Sequence, residues 1–230
     1  MTSFVLVHGG AHGAWCWDRV RPLLERDRRV ERVLAVDLPG HGERLALKTQ
    51  DEIGLSDYVD AVVDDIEAAG LSDVVLVGHS LAGITIPHVA ARLPARLRRL
   101  IYLSTTNPAL GQSVMDELAS NPLSPVSRGI DVSEAFCSDL DEATSAWLRS
   151  RLGPEPPGPL EMKVTRVAGP PGIPSTYVLL EQDAVLLPAY QLENAKRIGA
   201  GEIVRMTGGH SVFASRPEDL AEVLLRYADR

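Results

Sequence analysis

Short apolar segments alternate along this chain with longer segments in which apolar residues recur at helical spacing. The short segments are apolar almost throughout, whereas a strand with one solvated face alternates apolar and polar residues. This pattern is typical of parallel strands that helices cover on both faces. Six segments have it: Phe4–His8, Val33–Asp37, Val74–Gly78, Leu97–Ser104, Ser175–Leu180 and Glu202–Met206. The chain is therefore predicted to fold as an α/β protein with a doubly wound, mostly parallel sheet.

Helices are predicted between these strands, and the chain is long enough for one large core. The helical segments are residues 14–25, 55–69, 81–93, 188–198 and 217–227. With 230 residues, of which 45% are hydrophobic, the chain can bury one such core but not two independent ones. We therefore expect a single domain over residues 1–230.

The regular alternation stops between about residues 105 and 174. This region contains many prolines and is too long for a plain loop. Short helical pieces are predicted within it at residues 113–119 and 142–151. We interpret residues 105–174 as a small inserted cap, called the cap segment below, which lies over the carboxyl edge of the sheet.

Charge and composition argue against several classes of partner. The net charge of −8 disfavours a nucleic-acid surface, and no apolar run reaches the ~20 residues that span a membrane. The first residues have no basic segment or cleavage site, so no signal peptide is expected. The spacing of Cys16 and Cys137 indicates no disulfide, and reduced thiols favour a cytoplasmic protein. Most basic residues are arginine, which points to a GC-rich bacterial genome. None of these features indicates an oligomeric state.

A serine follows the third apolar segment, in the stretch VVLVGHSLAG. Gly78 lies two residues before Ser80, and Ala82 lies two residues after it. This G-x-S-x-A spacing departs mildly from the G-x-S-x-G nucleophile elbow. At such a turn the serine hydroxyl lies above the sheet, and the next helix presents its positive dipole end to developing negative charge. The alternative is a small-residue turn between strand and helix that has no chemical role.

A nucleophilic serine needs a general base, and the base needs a carboxylate that orients it. His210 follows the last strand, in MTGGHSVF, and is the candidate base. Glu181 and Asp183 both follow the fifth strand, and we prefer Asp183 because it lies further into the loop. Ser80, Asp183 and His210 all come after predicted strands. Open α/β sheets place their sites at this carboxyl edge.

The loop after the first strand, HGGAHGAW, is the candidate second half of an oxyanion hole. Its glycines allow backbone amides to approach a substrate closely. We assign the amides of Gly10 and Leu81 to the oxyanion hole. The glycines do not follow the G-x-G-x-x-G spacing of a dinucleotide loop, so no nucleotide cofactor is expected. No group of histidine, cysteine or carboxylate residues has metal-ligand spacing, so no metal is expected either.

Five blocks of the sequence, taken together and in order, resemble the small α/β-hydrolases that include plant methyl esterases, hydroxynitrile lyases and bacterial esterases. The blocks are FVLVHGGAHGAWCWDRVRPLLE, VDLPGHG, LVGHSLAG, YVLLEQDAVLLPAYQ and GGHSVFASRPEDLAEVL. The resemblance implies the α/β-hydrolase fold over most of the chain outside the cap segment. It implies Ser80 as nucleophile, Asp183 as acid and His210 as base, with oxyanion amides at Gly10 and Leu81.

The same family contains members that do not hydrolyse esters. Hydroxynitrile lyases resemble this chain but carry a lysine directly after the catalytic histidine and a threonine in the first loop. Ser211 and Gly9 occupy those positions here, so the cation that would stabilise a cyanide leaving group is missing. We therefore expect a serine hydrolase acting on a small or medium apolar ester, lactone or thioester. The alternative is a non-hydrolytic lyase or cyclase, or a ligand-binding receptor.

The substrate pocket is expected to be lined by apolar residues of the cap segment. The candidates are Trp147, Phe136, Leu118, Met115 and Val114. The alternative is that most of these side chains simply pack the cap segment against the core.

Overall fold

Six strands form one sheet in the computed structural model, which describes residues 1–228. They are β1 (Thr2–Val7), β2 (Val30–Val36), β3 (Val74–His79), β4 (Leu97–Leu103), β5 (Ser175–Leu180) and β6 (Glu202–Met206). Their order across the sheet is β2-β1-β3-β4-β5-β6, and every neighbouring pair is parallel. The predicted fold class is confirmed, and each predicted strand lies within a few residues of its expected position.

Helices connect the strands and cover both faces of the sheet. The α-helices are α1 (Arg21–Glu25), α2 (Leu55–Ala68), α3 (Ile86–Arg92), α4 (Val114–Ser120), α5 (Val132–Ala135), α6 (Glu142–Arg149), α7 (Pro157–Glu161), α8 (Pro188–Arg197), α9 (Val212–Ser215) and α10 (Pro217–Leu225). Short 3-10 helices occupy Ala14–Trp17, Gly42–Arg44, Gln50–Glu52 and Ser80–Ile84.

The two faces of the sheet form two hydrophobic cores because successive strand residues point to opposite sides. In β3, Val74 and Leu76 belong to one core, together with the apolar residues of α2 and α3. Val75 and Val77 belong to the other core, together with the apolar residues of α1, α9 and α10. The inner strands β1 and β3 are buried along their whole length, as strands covered on both faces must be. The outermost strands, β2 and β6, are only partly covered.

Two predicted helices are interrupted, and a proline explains each interruption. Residues 14–25 form a 3-10 turn and then α1, with Pro22 at the start of the helix. Residues 81–93 form the 3-10 helix Ser80–Ile84 and then α3, which begins just before Pro87. Proline has no backbone N–H to donate to the residue four positions earlier. The Gly83 carbonyl that Pro87 leaves without this bond accepts one from Nδ2 of Asn107 instead, at 2.9 Å.

The cap segment contains the helices α4, α5, α6 and α7. The two helical pieces expected there are found as Val114–Ser120 and Glu142–Arg149. Each begins with a side-chain cap, because Ser113 accepts a hydrogen bond from the amide of Asp116 and Asp141 accepts one from the amide of Thr144. Within residues 1–228, none of the helices combines the length and the apolar character needed to cross a bilayer.

We expect Gly83→Ala to destabilise the fold strongly, because the turn after β3 leaves no space there. A Cβ at position 83 would lie 2.3 Å from the carbonyl oxygen of Thr106. Such overpacking costs about 1–3 kcal/mol of unfolding free energy, measurable by urea denaturation. Gly201→Ala is the control, because its Cβ would meet only Ser175 O, at 3.4 Å. Equal stabilities of the two variants would contradict this account of the turn.

Candidate active site

Ser80, Asp183 and His210 meet at the carboxyl edge of the sheet. Ser80 directly follows β3, whereas Asp183 and His210 lie in the loops after β5 and β6. From β1 the chain passes to β2 on one side and then to β3 on the other, so the strand order reverses between β1 and β3. Ligands of open α/β sheets bind at such a reversal. The Gly10 loop after β1 and Ser80 after β3 both lie there.

The backbone at Ser80 is held in an unusual conformation by tight packing. Its φ of 52° lies in the left-handed region, which is costly for a residue with a side chain. The neighbours must be small. A Cβ at Gly78 would lie 2.9 Å from Ile86 Cγ2, and a Cβ at Gly9 would lie 2.6 Å from Ser80 Cβ. The amide of Thr106 donates to the Ser80 carbonyl at 3.1 Å. The turn is therefore a strained, closely packed elbow that carries the serine.

A line of hydrogen bonds joins the three side chains. Nε2 of His210 lies 3.0 Å from Oγ of Ser80, and Nδ1 of His210 lies 2.7 Å from Oδ2 of Asp183. Both His210 and Asp183 are buried. Glu181, the alternative acid, instead lies in the exposed part of the loop, with Oε1 at 3.6 Å from Nη1 of Arg205. His210 therefore contacts Asp183 and not Glu181.

The Asp183 carboxylate is fixed by further donors. Its Oδ1 accepts hydrogen bonds from the amides of Val185, at 2.8 Å, and Leu186, at 2.9 Å. Its Oδ2 accepts one from the Ser104 hydroxyl, at 2.6 Å, in addition to the contact with His210. A carboxylate held by this many donors keeps one orientation, which in turn orients the imidazole ring.

Two of the residues that hold the site escaped the sequence analysis. Ser104 comes directly after β4, so its place at the end of a strand was a usable signal. Asp139 lies in the cap segment, and its Oδ2 accepts a hydrogen bond from the amide of Gly209 at 2.6 Å. This contact fixes the residue just before His210. No pattern in the sequence marks Asp139, because the contact joins segments 70 residues apart.

The two candidate oxyanion residues both line the cavity at Ser80. Leu81 lies in the first turn of the 3-10 helix Ser80–Ile84, where amides have no carbonyl partner within the helix. A Cβ added at Gly10 would lie 3.3 Å from Cδ2 of Leu81, so the loop after β1 passes close to the elbow. The arrangement is compatible with amides of both segments facing one substrate oxygen.

A cavity of about 440 Å³ opens above Ser80 and is lined mainly by apolar side chains. Its lining comprises Gly10, Ala11, Ser80, Leu81, Thr106, Val114, Leu118, Pro125, Val126, Val132, Ser133, Phe136, Leu152, Gly153, Glu155, Leu160, Val185 and Leu186. Such a volume accommodates a small or medium organic molecule.

The cap segment supplies much of this lining, but not all of the residues expected from the sequence. Leu118, Phe136 and Val114 do line the cavity. Met115 is not part of the lining and is 46% exposed. Trp147 also lies outside the lining, because its ring packs at right angles to that of Trp15, with centroids 5.4 Å apart.

Buried histidines brace the loops around the site. Nε2 of His79 donates to the His210 carbonyl at 3.0 Å, and the amide of Leu38 donates to Nε2 of His8 at 3.0 Å. Burial, with a smaller contribution from His210, lowers the pKa of His79 well below its ordinary value. Burial likewise lowers the pKa of His12 to about 4. These rings are therefore neutral spacers at physiological pH. In the part of the chain that the structure describes, no three His, Cys, Asp or Glu residues are grouped so as to hold a metal.

Comparison with known proteins gives the family. The model of the alpha/beta hydrolase family matches residues 4–223. The chain belongs to this family. Methylesterase 9 of Arabidopsis thaliana is 28% identical, over 100% of this chain and 99% of its own length. The carbendazim hydrolyzing esterase of Nocardioides sp. (strain SG-4G) is 28% identical, over 97% of this chain and 98% of its own length.

A solved structure of a similar protein has the same fold. A pyrethroid hydrolase from Sphingobium faniae JZ-2 aligns with a TM-score of 0.76 at 26% identity, over 99% of this chain and 97% of that one. The resemblance to small α/β-hydrolases inferred from the sequence motifs is thus confirmed.

We expect the buried histidines to make stability fall as the pH is lowered from about 6.5, the ordinary histidine value. The unfolded chain takes up a proton there, whereas folded His12 does so only near pH 4. For His12 alone the loss reaches on the order of 3 kcal/mol at pH 4. Urea denaturation across this pH range measures the slope, and His12→Asn should reduce it. An unchanged slope in that variant would contradict a buried neutral His12.

Proposed function

We propose that this protein is a serine hydrolase that cleaves small or medium apolar carboxylic esters, lactones or thioesters through an acyl-enzyme on Ser80. The observation that carries the proposal is the unbroken hydrogen-bonded line from Ser80 through His210 to Asp183. A serine hydroxyl at a strained elbow has no structural need for an adjacent, carboxylate-oriented histidine. That arrangement is what nucleophilic catalysis requires.

The mechanism follows from the roles of these atoms. Neutral His210 accepts the Ser80 proton at Nε2 while Oγ attacks the ester carbonyl, and Asp183 stabilises the imidazolium that forms. The amides of Gly10 and Leu81 are proposed to stabilise the oxyanion. His210 then gives the proton to the leaving alkoxide. In the second half of the reaction His210 activates a water, which attacks the acyl-enzyme, and the proton returns to Ser80 Oγ as the acid leaves. The chain's own residues supply every group, so we propose that no cofactor or metal takes part.

The cavity supports an apolar substrate, and the relatives support an ester. Its lining is dominated by aliphatic side chains, together with Phe136. The similar proteins are named as a methylesterase, a carbendazim hydrolyzing esterase and a pyrethroid hydrolase. Within a single hydrolase domain of residues 1–230, we propose that the cap segment sets the size of the substrate, because α4 and α5 contribute Leu118 and Val132 to the lining.

We also propose that this protein is bacterial and cytoplasmic, and its two cysteines support the cytoplasmic location. Cys16 and Cys137 are both free and buried. Burial raises the pKa of the Cys16 thiol well above its ordinary value, which keeps it in the unreactive protonated form. Unpaired thiols of this kind fit a reducing compartment.

The substrate class is tested with a panel of esters of graded acyl and alcohol size, together with a lactone, a thioester and an aromatic cyanohydrin. We expect hydrolysis of uncharged apolar esters, with a pre-steady-state burst, and no cyanide release above background. Efficient cyanide release would favour the lyase. Binding of esters without any turnover would favour a receptor.

Ser80→Ala should fold normally and lose nearly all ester turnover. In comparable triads, loss of the nucleophile costs on the order of 10⁶ in kcat. Steady-state kinetics on the best ester of the panel, with circular dichroism as the folding control, gives the answer. A variant that retains a substantial part of wild-type turnover would exclude the covalent mechanism.

Asp183→Asn should reduce turnover far more than Glu181→Gln. The asparagine keeps the shape but favours the wrong histidine tautomer, which costs about 10⁴ in kcat in a comparable triad. Glu181 is exposed and does not contact His210, so it is the matched control. A larger effect of Glu181→Gln would show that Glu181, and not Asp183, is the acid.

A further inference from the structure

A carboxylate from the cap segment reaches the loop that carries the candidate oxyanion residue Gly10. Glu155 lies between α6 and α7, lines the cavity, and has a side chain that is only 16% exposed. Its Oε2 accepts a hydrogen bond from the amide of Ala11 at 2.7 Å. Ala11 directly follows Gly10, so Glu155 contacts the peptide group that joins the two.

This Gly10–Ala11 peptide group is held at both of its polar ends. Its N–H donates to Glu155, and its carbonyl oxygen, on Gly10, lies 2.7 Å from Nδ1 of His12. The pKa of His12, lowered to about 4 by burial, leaves that ring neutral, with one N–H available for the Gly10 carbonyl. The amide of Gly153 also donates to the Ala11 carbonyl at 2.9 Å. The cap segment therefore binds both the N–H and the carbonyl of Ala11, through Glu155 and Gly153.

These hydrogen bonds hold Ala11 in a strained backbone conformation. Its φ of 61° is in the left-handed region, which residues with a side chain adopt only when their surroundings hold them there. Without the acceptor at Glu155, the partly buried amide of Ala11 would lose its partner, and the strained peptide would gain from relaxing. The N–H of Gly10 belongs to the preceding peptide group, so a displacement of the Ala11 peptide reaches it through the Gly10 Cα.

The Glu155 carboxylate is itself anchored to the core. Its Oε1 accepts a hydrogen bond from the Tyr58 hydroxyl at 2.9 Å, and Oε2 lies 3.0 Å from Nε2 of His41. Burial and the adjacent Glu155 raise the pKa of Tyr58, so its hydroxyl remains a donor. Tyr58 is in α2 and His41 is in the loop after β2. Counting the amide of Ala11, three donors from three segments outside the cap segment thus bind one carboxylate of the cap segment.

We propose that Glu155 is a positioning residue for catalysis, which holds the Ala11 peptide so that the Gly10 amide faces the substrate oxyanion. This inference rests on the proposed function of Ser80. It assigns to the cap segment a second task besides shaping the cavity, because the segment completes the oxyanion hole through the loop it grips. The chemistry depends on an acceptor at the position of Oε2 and not on the negative charge.

Three substitutions separate the acceptor from the charge. Glu155→Gln keeps an oxygen at the Oε2 position for Ala11 and His41, and its amide can donate to the Tyr58 oxygen. Glu155→Asp keeps the charge but shortens the reach by one methylene. Glu155→Leu removes both. Asp141→Ala is the matched control, since Asp141 also accepts a backbone amide within the cap segment but does not line the cavity.

The readout compares binding of the transition state with binding of the ground state. A trifluoromethyl ketone of the size of the best ester adds to the serine and forms an oxyanion, whereas the corresponding carbinol binds without one. We expect Glu155→Leu and Glu155→Asp to lower kcat, and the affinity for the ketone, by about 10- to 100-fold each. KM and the affinity for the carbinol should be nearly unchanged. Glu155→Gln should recover most of both losses, and Asp141→Ala should resemble wild type.

The outcomes distinguish this proposal from the one on which it rests. Wild-type protein that neither hydrolyses any ester nor binds the ketone covalently would remove both proposals. An active wild type with equal kcat and ketone affinity in Glu155→Asp would overturn the positioning role alone. A folded Glu155→Gln as impaired as Glu155→Asp would also overturn it, because charge would then matter more than the acceptor. If Glu155→Leu does not fold, the aspartate and glutamine variants still decide.

Discussion

The close packing at the end of β3 is the constraint on which the rest of the site depends. Ser80 has a left-handed φ there, and a Cβ at Gly9, Gly78 or Gly83 would collide with Ser80 itself, with Ile86 of α3 or with the Thr106 carbonyl. A side chain at any of the three would push one of these segments away. The same geometry that strains the serine backbone brings the Gly10 loop beside it. The elbow and the candidate oxyanion hole are thus products of one packing arrangement.

The parallel strands place these loops at one edge of the sheet, and buried polar contacts fix their conformations. The loop of His210 is fixed through its carbonyl by His79 and through the preceding amide by Asp139. In the Gly10 loop, the Glu155 carboxylate accepts a hydrogen bond from the amide of Ala11. Both of these carboxylates belong to the cap segment, so the segment contacts the His210 loop and the Gly10 loop through one carboxylate each. Removal of such buried acceptors leaves amides unpaired, which is costly in a site of low dielectric.

The sequence predicts what is periodic or local and misses what depends on tertiary contact. The six strands, the elbow and the preference for Asp183 over Glu181 all follow from apolar patterning and from positions relative to strand ends. The helix expected over residues 14–25 is broken because Pro22 outweighs the apolar spacing. Trp147 was expected to line the cavity, but its ring packs on Trp15 instead, a tertiary contact that the sequence does not reveal. Glu155 has no signal at all, because its partner Ala11 is 144 residues away.

Covalent trapping of the serine tests the central claim most directly. A p-nitrophenyl alkylphosphonate, which loses p-nitrophenolate when the serine oxygen attacks phosphorus, is incubated with wild type, Ser80→Ala and His210→Ala, and the digested peptides are analysed by mass spectrometry. The account predicts one adduct, on the peptide that contains GHSLAG, in wild type alone, since attack by Ser80 needs the base. An adduct at another residue, or an undiminished adduct on Ser80 in His210→Ala, would contradict a nucleophile activated by His210.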